Sequence, residues 1–209
     1  PAGSFNAISG ASACAEALAG TFTGTPAGAT STSDCSIGTF SLAAQSSCTP
    51  APIGTFVSSA KASSATECPV GRFNPVTMQS ACQLTPAGSF SAILGATSAE
   101  LCPSGRFSSV SGATSCEIAP AGSFAFSGAT SASLCNIGTF SASAGSGFCD
   151  RAPIGFFVDT RGATSATQCP TDVFPNRLGS TSCDLVDTDV DGVPPGIFLL
   201  LLEGELSAS

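Results

Sequence analysis

The stretch Cys102-Pro-Ser-Gly-Arg-Phe-Ser-Ser-Val-Ser-Gly-Ala-Thr-Ser-Cys116 decides the fold. It places a Gly-x-Phe tripeptide after one cysteine, and a Gly-Ala-Thr-Ser turn before a second cysteine fourteen positions on. Glycine and proline mark the bends. The segments between the bends hold four to six residues, which is room for short strands and not for helices.

Working outward, the same theme recurs along the chain. Gly-x-Phe appears ten times, from Gly3/Phe5 to Gly155/Phe157, and an eleventh copy keeps Phe174 but has Asp172 in place of glycine. Successive phenylalanines are 16 to 18 residues apart. The middle turn recurs at Gly10, Gly28, Gly95, Gly112, Gly128, Gly162 and Gly179. Lys61 and Met78 stand at that place in two repeats, which predicts a turn with no need of positive φ. The expectation is an all-β protein of small disulfide-rich repeats. It would be an elongated rod of eleven β-hairpin-like units of about 17 residues, with a β-solenoid as the alternative. The phenylalanine is the one large apolar side chain of most repeats and is expected to form a spine between them. Burying one contributes about 1.5–3 kcal/mol. Ordering 17 residues costs about 1–2 kcal/mol each. A lone repeat therefore cannot fold without its neighbours or a covalent link.

The cysteines occupy alternate repeats. Odd repeats carry one three residues before the marker glycine and another eight or nine after the phenylalanine, and even repeats lack both. Paired absence is what a bond within one repeat predicts; bonds between repeats would not explain it. The expected disulfides are Cys35–Cys48, Cys68–Cys82, Cys102–Cys116, Cys135–Cys149 and Cys169–Cys183. Cys14 takes the second-cysteine place of the first repeat, so its partner would fall before Pro1. It is expected to be unpaired within this chain.

Composition narrows the function. The 209 residues include 55 Ser and Thr, no His, Trp or Tyr, and ten per cent charged residues. Eleven cysteines without histidine argue for disulfides and an oxidising, extracellular compartment, not for zinc. Six basic residues cannot track a phosphate backbone, which excludes nucleic acid. Arg72, Arg106, Arg151, Arg161 and Arg177 are scattered and read as solvated faces. No histidine is present for general-base work, and there is no phosphate-binding loop. No enzyme and no catalytic residue is expected. No Asn-x-Ser/Thr sequon occurs, whereas the abundant Ser and Thr suit O-linked glycans.

The pattern Cys-Pro-x-Gly-x-Phe followed by Gly-Ala-x-x-Cys resembles the ephrin-receptor-like cysteine-rich repeats of extracellular proteins. The resemblance covers residues 1–183, with the best copies at Cys102–Cys116, Cys68–Cys82 and Cys135–Cys149. It implies units stacked into rods that act as spacers or binding surfaces, with no catalytic residues to carry over. The chain departs from that family in the even repeats, which lack both cysteines.

Beyond the array of 1–183, residues 184–196 read as an acidic linker and 197–209 as an apolar C-terminal segment. Six of the fourteen acids fall after Cys183. Asp187, Asp189 and Asp191 before Gly192 are similar to the opening of a thrombospondin type 3 or EF-hand calcium loop. Pro195 and Phe198 would take its ninth and twelfth positions, and neither supplies a side-chain ligand. Calcium is therefore a possible cofactor, and no other is expected. Ile197, Phe198, Leu199, Leu200, Leu201 and Leu202 are too few to span a bilayer, which needs about 20 residues. They would cap the last repeat or contact a second subunit. The functional expectation is a structural subunit of an extracellular filament, a homo-oligomer assembling head to tail. The alternative is a stalk or binding module of a cell-surface adhesin or receptor.

Overall fold

Each repeat folds as one β-hairpin entered through a tight turn. In a computed structural model, which describes residues 2–7, 13–25, 28–170, 175 and 177–183, twenty two-residue strands form ten two-stranded sheets. There is no helix and no closed barrel among the described residues. The architecture is the all-β array of small disulfide-rich repeats, in its hairpin form. The strand Ser89–Phe90 pairs antiparallel with Glu100–Leu101, with Ser89 opposite Leu101 and Phe90 opposite Glu100. Residues 1–102 with 108–117 form one compact unit, and residues 103–107 with 118–209 form another.

The entry turn shows why the marker is Gly-x-Phe. Thr55 N–H donates to the Pro52 carbonyl at 3.1 Å, and Gly54 between them has φ +76°. That is a type II turn, whose third residue requires positive φ and so favours glycine. Thr55 Oγ1 also donates to the Pro52 carbonyl, at 2.8 Å. The hairpin then closes through Cys68 N–H on the Gly54 carbonyl at 2.9 Å.

Backbone bonds also tie each repeat to the following ones. In the first unit, Gly54 N–H donates to Asn74 O at 2.9 Å, and Val57 N–H to Gln79 O at 2.9 Å, both in the next repeat. Gly95 N–H reaches back two repeats to Cys68 O at 2.8 Å. The second unit repeats the scheme, with Gly122 on Ser141 O at 2.8 Å, Ser141 on Ala163 O at 3.1 Å and Gly162 on Cys135 O at 2.9 Å. Short strands thus satisfy their buried amides through their neighbours and not within one hairpin.

Two expectations need correction. The middle turn does adopt positive φ where glycine is absent: Ala44 has φ +59°, Lys61 +61° and Met78 +62°. Their N–H groups donate to Ala17, Cys35 and Ala51, two repeats back. The left-handed conformation costs roughly 1–2 kcal/mol per residue, and that bond is what it secures. The phenylalanines, moreover, are half-buried from Phe5 to Phe157 and do not form the core. The fully buried side chains are Asn74, Thr85, Cys35, Cys68, Cys102, Cys135, Ser41, Ser123 and Ser141. Repeats meet through backbone, so a benzyl group has no space between them. A methyl group built on Gly54 would run into the Gly95 carbonyl, and one on Gly122 into the Gly162 carbonyl.

Candidate interaction surface

One small buried slot recurs three residues before each marker glycine. It holds Cys35, Cys68, Cys102 and Cys135 in alternate repeats, and Ala17, Ala51, Thr85, Ala119 and Ala152 in the others, all without exposed surface. The disulfides run from this slot to the far side of the middle turn of the same repeat. They join Cys35–Cys48, Cys68–Cys82, Cys102–Cys116, Cys135–Cys149 and Cys169–Cys183, with Cα atoms 5.6–5.8 Å apart. Cys14 is a free, exposed thiol.

The residue just before the slot lies on the second strand of each hairpin and points outward. In chain order this position holds Glu16, Asp34, Pro50, Glu67, Leu84 and Leu101 in the first unit, and Ile118, Leu134, Arg151 and Gln168 in the second. Its side chain covers the middle turn about 27 residues on. Lys61 Nζ lies 3.3 Å from Asp34 Oδ1. A methyl built on Gly112 would lie 2.7 Å from Leu84 Cδ2, and one on Gly162 3.1 Å from Leu134 Cδ2. Even so, Leu84 keeps 48 % and Leu134 62 % of its surface exposed. A second outward position precedes the marker glycine, where Ile37, Ile53, Val70, Ile137 and Ile154 are exposed. Two columns of variable side chains thus sit on an invariant backbone scheme. This contact was missed in the sequence, although the opposite charges of Asp34 and Lys61 were a signal for it.

Residues 122–169 match the family described as tyrosine-protein kinase ephrin type A/B receptor-like. The matched segment holds the hairpins Ser123–Phe124 with Ser133–Leu134 and Thr139–Phe140 with Asp150–Arg151, and the disulfide Cys135–Cys149. The chain is similar there to ephrin-receptor-like repeats, which are non-catalytic as a module. No curated protein matches the chain. The family match and the five disulfides together point to an extracellular or cell-surface protein.

Within the ephrin-receptor-like segment, Arg161 donates from Nη2 to Asn136 Oδ1 at 2.8 Å and Phe126 stacks edge-on against Phe124 at 5.1 Å. Outside it, Arg72 donates from Nη1 to the Cys82 carbonyl at 2.9 Å, across its own hairpin. These arginines brace turns and strands and form no cluster with one another. A cavity of about 100 Å³ is lined by Ser91, Ile93, Ala96, Thr97 and Glu100. That is below the roughly 300–1,000 Å³ of small-molecule sites. Among the described residues no three metal-ligating side chains come together, and no helix is long and apolar enough to cross a membrane. Asp187, Asp189 and Asp191, and the run Ile197–Leu202, lie outside the described residues.

Proposed function

We propose that the chain is an extracellular, non-catalytic repeat module of a receptor- or adhesin-type surface protein, displaying outward side chains for protein contact. The observation that carries this reading is the separation of scaffold from surface. Backbone bonds and one small buried slot hold every repeat, so the residue before the slot is free to be Glu67, Leu84 or Arg151 without a change of fold. Binding surfaces need that freedom, and recognition is concentrated in a few exposed, well-supported side chains. The filament reading rests on Ile197–Leu202, and no observation among the described residues favours it.

The test is to label intact, non-permeabilised source cells with antibody, and to map disulfides in the native protein. Surface labelling with the five cystines in place supports the module. An intracellular protein with reduced thiols would overturn it. Sedimentation of the same material tells a module from a filament, because only the latter polymerises as concentration rises.

A further inference from the structure

The hydroxyl groups of the chain fall into two populations. Threonines of the marker strand are used internally: Thr39 Oγ1 donates to Ser36 O at 2.8 Å, Thr55 Oγ1 to Pro52 O at 2.8 Å and Thr139 Oγ1 to Asn136 O at 2.7 Å. The threonine two residues after the middle-turn glycine behaves differently. Thr97, Thr114 and Thr181 are exposed, and their hydroxyls make no hydrogen bond among the described residues. Their methyl groups face inward. A methyl built on Gly54, Gly71 or Gly138 would lie 3.4 Å, 3.5 Å or 3.5 Å from Cγ2 of Thr97, Thr114 or Thr181 respectively. With Cγ2 packed over a marker glycine, and χ1 of a β-branched residue stiff, Oγ1 is turned to the outside.

The same tetrapeptide recurs around this position. Gly-Ala-Thr-Ser stands at 28–31, 95–98, 112–115, 128–131 and 162–165, and Gly-Ser-Thr-Ser at 179–182. Thr30, Thr130 and Thr164 are exposed like the others. The residue before each threonine is Ala or Ser, so no large side chain of the turn shields the hydroxyl. A transferase that accepts one of these turns meets the same acceptor six times. The surface also gives such a modification a physical purpose. Charged residues are only ten per cent of the chain, and Leu101, Ile93 and Leu94 are each more than 60 % exposed. A surface so apolar and weakly charged is prone to association, which a polar sugar opposes.

We propose that Thr30, Thr97, Thr114, Thr130, Thr164 and Thr181 are acceptors for O-linked sugar. The inference rests on the extracellular reading above, since such transfer takes place on the secretory route. In the step, Oγ1 forms a bond to the anomeric carbon of a nucleoside-diphosphate sugar. The bond from that carbon to the phosphate oxygen breaks, the nucleoside diphosphate leaves with the electron pair, and the hydroxyl proton passes to a base of the transferase.

The experiment is site mapping by electron-transfer mass spectrometry of peptides from the native protein. The expected result is a hexose or N-acetylhexosamine increment on the turn threonines and none on Thr39, Thr55 or Thr139. A bare polypeptide mass overturns the inference, and so does equal occupancy of the marker-strand threonines. A bare chain that is nevertheless on the cell surface with its cystines intact would sink only this inference; reduced intracellular protein would sink the proposed function as well.

Discussion

Lys61 Nζ and Asp34 Oδ1 lie 3.3 Å apart, although 27 residues and a whole hairpin separate them in the chain. Asp34 is the outward residue before a buried slot and Lys61 is the left-handed residue of a middle turn. The same two positions bring Leu84 against Gly112 and Glu67 against Gly95. The contact is thus a property of the scaffold, and its chemistry changes from ion pair to apolar cover.

Both partners of that pair are more than half exposed, so its contribution to stability is about 0–1 kcal/mol. Asp34→Lys places two cations together and is expected to lower stability by a similar small amount. The double reversal Asp34→Lys/Lys61→Asp recovers it. Urea unfolding of the four proteins at low salt and at 1 M salt checks this, because screening should erase the coupling. A coupling that survives high salt would show that something other than charge links the two sites.

Gly54 and Gly28 have the same φ, +76°, but different surroundings. A methyl group on Gly54 meets the Gly95 carbonyl, whereas one on Gly28 meets nothing within 4 Å. Gly28→Ala is therefore expected to cost only the left-handed penalty, about 1–2 kcal/mol. Gly54→Ala adds displacement of a packed backbone and should cost roughly 3 kcal/mol or more. Urea unfolding with disulfides intact compares them, and equal losses would contradict the close approach of the two repeats.

Ala119 and Ala152 fill the slot that Cys102 and Cys135 fill in alternate repeats, all fully buried. Cys102→Ala/Cys116→Ala therefore converts a bonded repeat into the kind already present, with no cavity larger than a sulfur atom. The fold is expected to persist, with stability lowered by about 3 kcal/mol for a bridge that closes a loop of this length. Circular dichroism and thermal unfolding read both effects. Loss of the β signal at room temperature would show that even repeats depend on bonded neighbours on both sides.

The hairpins, their period and the small-residue turns were legible in the sequence, because Gly-x-Phe and Gly-Ala-Thr-Ser mark bends by residue type alone. The positive φ of Lys61 and Met78 was not. It follows from an amide that must reach Cys35 or Ala51 two repeats away, and spacing carries no sign of that reach. The half-exposure of the phenylalanines was hidden for a related reason. Hydrophobicity suggests a core of Phe, but contact through glycine backbone leaves room only for Ala, Ser, Thr and Cys. The column that includes Asp34 and Leu84 has no consistent chemistry, so no pattern search singles it out.

Asn74 is fully buried and half satisfied. Its Nδ2 donates to the Thr55 carbonyl at 2.8 Å and approaches Cys82 Sγ at 3.6 Å, while its Oδ1 is buried without a partner. Ser41, at the corresponding place two repeats earlier, makes the equivalent bond from Oγ to Thr21 O at 2.9 Å with no acceptor left stranded. An unsatisfied buried acceptor costs about 1–3 kcal/mol. The cavity left by Asn74→Ser, on the order of 25 Å³, costs about 0.6 kcal/mol at the usual rate. The relief exceeds the loss, so Asn74→Ser is expected to stabilise by about 1 kcal/mol. Asn74→Asp, which buries a charge facing the Thr55 carbonyl, should destabilise by about 3 kcal/mol or more. Urea unfolding at neutral pH separates the two. A destabilised serine variant would mean that Asn74 Oδ1 is satisfied in solution, and a bound water would be the group to look for.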